Sequence, residues 1–451
     1  MISFTGRKGQ VCGLDIFDKG ANNHNIFVTA TTGSGKSFMV NYMVSKYYAA
    51  NAMVRIIDIG GSYKKMNKIY GAKYIDFSQG SKICINPFSN ILTDNKEDFA
   101  GSITSVAAVV KQMAYCATDK IPEQTAEVEM KLLMDAVQWA YYEVQRLGET
   151  GDPGAYNGID LVQKYLIEFP ADASAAFKDA SHAHTQNLIM IAKNLAFNIK
   201  DFTSQGMYGK WFNGVSNFDI AQDEFVVLEL EHLKPLKEFF KVVTLLVIDA
   251  VTRDLYLSDR SRPRFIIFDE AWQFIKENRE GGAVSATPLS EVIEEGYRRA
   301  RKYQGSFSII TQSLLDLKAF GKVGDVIRGN SDFKFFLESV DFDKALNEKL
   351  IDYDEFTMRM LKSLKSNKPK YSEIFMDTPF GVGVARLIVD PYSYFVYTSD
   401  PTEIAEIERY VESGITYEEA IVEMINKHRP DYFKKNYEKG NINAALAKNA
   451  A

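Results

Sequence analysis

Asn25-Ile26-Phe27-Val28-Thr29-Ala30-Thr31-Thr32-Gly33-Ser34-Gly35-Lys36-Ser37-Phe38 carries the reading of this chain. The apolar run 25–29 is a short strand. The stretch from Phe38 to Tyr48 has Val40, Met43, Val44 and Tyr47 on one side, as an amphipathic helix requires. Between them lies a glycine-bearing loop of phosphate-binding type, A-x-x-G-x-G-K-S, in its required strand–loop–helix setting. Glycine at 33 and 35 lets successive N–H groups turn toward phosphate oxygens at the positive end of the helix. Thr32, Gly33, Ser34, Gly35, Lys36, Ser37 and Phe38 are the candidate nucleotide-binding residues. Lys36 reaches the β- and γ-phosphates in such loops, and the Ser37 hydroxyl takes a place on Mg²⁺. Ala30 stands where a first glycine is commoner.

A second stretch completes the site. Arg264-Phe265-Ile266-Ile267-Phe268-Asp269-Glu270 is an apolar strand ending in two carboxylates. Asp269 is placed to hold the metal opposite Ser37, and Glu270 to orient an attacking water. Gln312 ends the next strand, Phe307 to Thr311, where a neutral amide senses the γ-phosphate or positions water. Asp58, at the end of the strand Val54–Asp58, is a further candidate. Arg298-Arg299-Ala300-Arg301-Lys302 offers an arginine finger for a neighbouring subunit, set against a solvated helix face paired with Glu291, Glu294 and Glu295. His182 and His184, two apart on a helix, point away from each other and make a poor metal pair.

Composition sets the limits. The chain has 451 residues, 46% apolar and 25% charged, which is ordinary for a globular protein and excludes a disordered one. Lys plus Arg number 53 against 59 Asp plus Glu, a net charge of -6. That balance argues against a surface that grips duplex DNA throughout. The three cysteines are scattered without metal-ligand spacing and read as free thiols in a reducing compartment. No apolar stretch reaches the ~18–20 residues of a membrane span. The nearest, Val242 to Val251, is broken by Asp249 and reads as a buried helix. The first residues lack the apolar core of a signal peptide, so a soluble protein on the cytoplasmic side is expected.

Strand and helix signals alternate at both ends, with a long helical block between about Asp98 and Lys210. The expected fold class is α/β: a RecA-like P-loop core with a mostly parallel sheet, an all-α insertion and an antiparallel edge. The expected divisions are 1–97 (first part of the core), 98–215 (helical insertion), 216–430 (second part) and 431–451 (tail). Ile83 to Phe88 reads as an extended run. Gly281 to Ser285 reads as a flexible loop. Tyr371 to Ser399 reads as three extended runs, separated at Thr378-Pro379 and Asp390-Pro391, that build the antiparallel edge.

These motifs in this order resemble the C-terminal ATPase domain of TraC-type ATPases of conjugative type IV secretion systems, related to the HerA and FtsK motors. The resemblance runs from about Gly6 to Arg429. It rests on Thr29–Phe38, Asp58-Ile59-Gly60-Gly61-Ser62-Tyr63, Ile85-Asn86-Pro87-Phe88 and Phe268-Asp269-Glu270-Ala271-Trp272. Tyr297–Lys302, Thr311-Gln312 and Ala385-Arg386-Leu387 add to it. It implies a Mg²⁺-dependent ATPase, with ATP and Mg²⁺ as cofactors and Lys36, Glu270, Gln312 and Arg301 as catalytic residues. It implies Ser37 and Asp269 as metal ligands, with Arg301 acting in trans.

The same resemblance implies a homo-oligomer, often hexameric, working with other secretion-system subunits at the cytoplasmic face of the inner membrane on pilin or DNA. Full members carry a large N-terminal domain, and nothing in this chain matches it, so a C-terminal fragment is expected. Two other readings stay open: a DNA translocase of the HerA/FtsK class, and an assembly platform that binds nucleotide with little turnover.

Overall fold

The computed structural model describes residues 1–78, 80–116, 125–176, 182–257, 260–270 and 288–432. Its strands in chain order are β1 (Ile2–Gly6), β2 (Val11–Leu14), β3 (Ile26–Thr29), β4 (Met53–Asp58), β5 (Lys73–Asp76) and β6 (Phe225–Glu229). They continue as β7 (Arg264–Phe268), β8 (Gly305–Thr311), β9 (Phe333–Phe336), β10 (Ser366–Asn367), β11 (Tyr371–Thr378) and β12 (Gly381–Leu387). The sheet they form has the order β2-β1-β12-β11-β9-β3-β8-β7-β4-β6-β5, with the short β10 beside β11. From β9 to β5 every pairing is parallel. From β2 to β9 every pairing is antiparallel. The mixed architecture is the expected one.

The inner parallel strands β3, β4, β6, β7 and β8 are buried along their length, and alternate residues serve opposite faces, as the two-residue strand period dictates. Phe225, Val227, Phe265 and Ile267 join one apolar layer with Met39, Val40, Met43 and Val44 of α1 (Lys36–Ala49) and with the C-terminal helices. Val226, Leu228, Ile266 and Phe268 join the other, which holds the helices between β5 and β6. Those helices, the inserted block, are α3 (Lys96–Ala114), α4 (Ala126–Thr150), α5 (Gly158–Ala176) and α6 (His182–Asn198). Helix α2 (Lys64–Tyr70), which precedes β5, packs its Met66 into the first layer instead. Within the block, neighbours pack in sequence, α3 on α4, α4 on α5 and α5 on α6. Helix α3 also packs on α7 (Lys237–Tyr256), so the inserted helices share one continuous core with the sheet. The run Val242–Val251 lies inside α7 and is largely buried there. Among the described residues no helix is long and apolar enough to cross a membrane.

Two sequence expectations are corrected. The third extended run of the edge is a helix, Pro391–Tyr397. Asp390 caps it, its Oδ1 accepting the N–H groups of Tyr392 (2.9 Å) and Ser393 (3.1 Å), while Pro391 occupies the first turn. Asp-Pro is a helix start as well as a strand breaker, and the capping geometry wins here. The run Ile83–Phe88 joins no strand; Pro87–Asn90 is a 3₁₀ turn capped by Asn86. The edge gains its missing strands from the amino-terminal hairpin, whose β1 pairs with β12. The loop 281–285, together with Ala271 and Trp272, lies outside the described residues.

The sheet's far side carries a buried ionic triad. The Asp254 carboxylate takes Arg55 Nε at 3.2 Å and Arg264 Nε at 3.4 Å, and Arg55 is wholly buried. Burial pulls the Arg55 guanidinium below its ordinary value, against the pull of Asp254. Asp254→Ala strips both arginines of this counter-charge and is expected to destabilise the fold by about 3–5 kcal/mol in denaturant titration. Glu406→Ala, which removes the exposed partner of Lys427, is expected to cost about 0–1 kcal/mol.

Candidate nucleotide-binding site

The loop after β3 is held from both sides. Ala30 N–H donates to Thr311 O at 3.3 Å, and the Thr31 N–H and hydroxyl both donate to Glu338 O, at 3.3 and 2.9 Å. The chain then turns through Gly33 (φ 83°) and Gly35 (φ 101°), left-handed conformations that favour glycine. A Cβ on Gly35 would also stand 2.5 Å from Ser372 Oγ. Ala30 is fully buried, so the methyl group that replaces the usual glycine hydrogen simply fills core space. Helix α1 begins at Lys36 with no side-chain cap and no acidic residue in its first turn. Its positive end therefore meets no protein anion of its own.

Lys36 meets the two carboxylates expected of it. Its Nζ lies 3.0 Å from Asp269 Oδ1 and donates a second hydrogen bond to Glu270 Oε1. Asp269 is 1% exposed, and its second oxygen accepts from the Tyr63 hydroxyl at 2.9 Å. Gln312 Nε2 donates to Glu270 Oε2 at 2.9 Å, and Thr32 Oγ1 donates to Gln312 Oε1 at 3.3 Å. Glu270 has φ 56°, a strained conformation for a residue with a side chain. Burial opposes the charge on Lys36, but Asp269 and Glu270 outweigh it and hold the ammonium pKa above its ordinary value.

The architecture explains this convergence. In the sheet β3, β8 and β7 are adjacent and parallel, so the segments after Thr29, Thr311 and Phe268 leave at one edge. That edge, at the carboxyl ends of the strands, is where open α/β sheets bind ligands. Ser37 and Phe38 lie in the first turn of α1. Among the described residues no group of three or more His, Cys, Asp or Glu is arranged to hold a metal ion. One hydroxyl and one buried carboxylate are instead the donor set Mg²⁺ accepts when phosphates and waters supply the rest. The side chains of His182 and His184 lie outside the described residues.

Arg301 is placed elsewhere. It is exposed, in the turn Ala300–Tyr303 that enters β8 at its amino end, while Gln312 follows the carboxyl end. A strand of this length separates them by about 20 Å. Arg298 and Arg299 pair with Glu294 and Glu295 at 2.8 and 2.6 Å, the solvated helix face weighed from sequence.

Asp58, Glu229 and Tyr63 form a buried layer beneath the site. Asp58 and Glu229 are in register at the ends of β4 and β6. The Glu229 carboxylate accepts the N–H groups of Gly61 (2.7 Å) and Glu231 (2.8 Å), anchoring the turn that carries Tyr63. Burial, then Glu229, then Asp269 drive the Asp58 carboxyl well above its ordinary value. Burial and Asp269 raise Tyr63 likewise. Sequence reading passed over Tyr63 and Glu229; the Asp-x-Gly-Gly-Ser-Tyr spacing was the available signal for Tyr63.

Comparison with known proteins follows from this geometry. Residues 2–428 match the family described as the TraG P-loop domain. Over 424 residues the chain is 24% identical to Protein TraC of Escherichia coli (strain K12), covering 92% of this chain and 44% of that protein. The chain thus spans less than half the length of this curated relative. Its fold is similar to VirB4 of Thermoanaerobacter pseudethanolicus, with a TM-score of 0.60 at 19% identity, over 89% of this chain and 98% of that one. It is also similar to the plasmid coupling protein TrwB in complex with the GTP analogue GDPNP, with a TM-score of 0.51 at 14% identity, over 81% and 85% of the two chains. At these identities the likeness is one of fold.

Asp58 supplies a pH test. Its folded pKa is raised above the ordinary aspartate value, so the folded chain keeps a proton that the unfolded chain releases. Its contribution to stability is complete below that value and is lost as pH rises above it. Asp58→Asn cannot ionise and is expected to flatten the fall in stability between pH 5 and 8, read from melting temperatures across that range. An unchanged slope would show that Asp58 is ionised in the fold.

Proposed function

The chain belongs to the TraG P-loop domain family, and from that premise we propose that it is an ATP-hydrolysing motor domain of a conjugative type IV secretion system, powering pilus assembly and substrate transfer. The observation that carries this reading is the meeting of Lys36 with Asp269 and Glu270, and of Glu270 with Gln312, at the carboxyl edge of the parallel strands. A protein that only binds nucleotide has no use for a strained, half-buried glutamate held by a glutamine beside the loop lysine.

In this reading the triphosphate enters the loop 32–37 and draws the Lys36 ammonium onto its β- and γ-oxygens. That transfer releases Glu270 from Lys36 and leaves it held by Gln312, aimed as a base at a water beside the γ-phosphate. Ser37 and Asp269 would hold Mg²⁺, which would supply charge neutralisation for the phosphates. Tyr63 holds the orientation of Asp269 through its hydroxyl. Arg301, remote from the site of its own chain, serves the site of a neighbour in a homo-oligomer of hexamer type. Residues 1–97 and 216–430 form the motor, 98–215 its helical insertion and 431–451 a tail. Other secretion-system subunits at the cytoplasmic face of the inner membrane, and pilin or DNA, are its partners.

Lys36→Ala and Glu270→Gln are each expected to lower steady-state phosphate release by about 10²–10⁴-fold. Turnover at the wild-type level in both would reject the site. The rate is expected to rise more steeply than linearly with protein concentration. Arg301→Ala is expected to cost about 10³-fold or more. Mixing the Arg301→Ala and Lys36→Ala proteins should restore part of the activity, because each supplies what the other lacks. A mixture as inactive as its components would refute the trans assignment.

A further inference from the structure

Gln312 is exposed, and its strand ends one residue earlier, at Thr311. Exposed loop residues are the mobile ones unless the backbone beside them is fixed. Here the next residue is fixed at every polar group. Ser313 N–H donates to Asp316 Oδ2 at 3.2 Å, and its C=O accepts the Thr311 hydroxyl at 3.1 Å. The Ser313 hydroxyl donates to Asp341 Oδ2 at 2.6 Å and accepts the N–H of Leu315 at 3.1 Å.

Asp341 comes from the opposite flank of the phosphate loop. In the sheet β3 stands between β8 and β9, so a segment leaving β9 must pass the end of β3 to reach one that leaves β8. Residues 337–341 do so. Leu337 N–H donates to Thr29 O at 3.0 Å, and Glu338 O accepts the N–H and hydroxyl of Thr31. Glu338 Oε2 accepts the Ser366 N–H at 2.9 Å. At the far end Asp341 O accepts the N–H of Ala345 at 2.8 Å, in the helix Phe342–Asn347, whose Phe342 is buried. This strap is anchored at both ends, and it holds one loop through Thr31 and the other through Ser313.

We infer that Asp341 is a positioning residue for hydrolysis: through Ser313 it sets Gln312 against Glu270, in register with the phosphate loop. The inference rests on the hydrolytic site proposed above. The Gln312 amide donates to Glu270 at 2.9 Å and accepts the Thr32 hydroxyl at 3.3 Å. A bound triphosphate disturbs both partners, since it takes Lys36 from Glu270 and fills the loop that carries Thr32. What then keeps the amide in place is its backbone, and Ser313 sets that backbone. Asp341 itself touches no substrate; it acts through one short hydrogen bond from a hydroxyl to a carboxylate. A displacement of about 1 Å in a reacting constellation costs on the order of 10²-fold in rate.

The test measures steady-state ATP hydrolysis by the full chain, with Mg²⁺, for Asp341→Ala and Ser313→Ala. Each is expected to lower kcat by about 10–100-fold. KM should stay unchanged, as for an interaction expressed only in the transition state. Asp341→Asn keeps an oxygen for the Ser313 hydroxyl and should recover most of the rate. Ser313→Ala removes a single hydroxyl and carries the test even where Asp341→Ala does not fold. The deciding comparison is made on Gln312→Ala, which deletes the group that Asp341 and Ser313 act on. Adding Asp341→Ala or Ser313→Ala to it should cost nothing further, because the residues work as one unit. A further loss of about tenfold on that background would reveal a general structural role and overturn the inference. Wild-type kcat in both single variants, or a loss confined to KM, would overturn it too. Wild-type turnover that Gln312→Ala leaves unchanged would overturn this inference and leave the ATPase reading standing; a wild type without turnover would overturn both.

Discussion

A lysine ammonium wedged between two carboxylates in a nearly dry cleft exists here because three parallel strands end side by side. Any one of the charges, buried alone, would cost several kcal/mol. Strand order makes them neighbours: the loop after β3, the acidic pair after β7 and the glutamine after β8 leave the sheet at one edge. The crossovers that impose parallel pairing are long and helical, so the chain separates Lys36 from Asp269 by 233 positions before the sheet reunites them. Everything the site can do chemically follows from that edge.

Beneath it lies a layer of a different character. Glu229 fixes the Gly60-Gly61 turn through backbone N–H groups, the turn delivers Tyr63, and Tyr63 holds Asp269 from behind. Asp58 sits among them, its carboxyl pushed well above its ordinary value by burial and by the acids around it. Support of this kind sets the orientation of a ligand as firmly as the ligand's own contacts do. The strain at Glu270 fits the same pattern, since a left-handed glutamate persists only where its surroundings overdetermine it.

Much of this was legible in the chain. The phosphate loop is a local signal, complete in fourteen consecutive residues, and the FIIFDE strand announces itself by hydrophobicity and terminal charge. Gln312 could be placed because a strand with a polar end follows. The amino-terminal hairpin was not legible: Ile2–Gly6 is short, and its pairing with β12 is set by contacts nearly four hundred residues away. The helix Pro391–Tyr397 was misread because Tyr, Phe and Val favour strands while the capping aspartate and first-turn proline favour a helix. Glu229 escaped notice because a buried acid that binds backbone N–H groups has no sequence pattern of its own. Arg301 is exposed at the end of β8 opposite Gln312, a separation that the short sequence distance between them does not reveal.

The placement of β3 at the centre of the sheet bears on how the chain is made. One neighbour, β8, follows it by about 280 residues, and the other, β9, follows later still. At about 5–20 residues per second, a ribosome needs roughly 14–56 s to supply the first of them. Until then an apolar strand with both hydrogen-bonding edges open has no native mate. Until β8 emerges, a nascent polypeptide of this design has only α1, the next element made, to cover that strand.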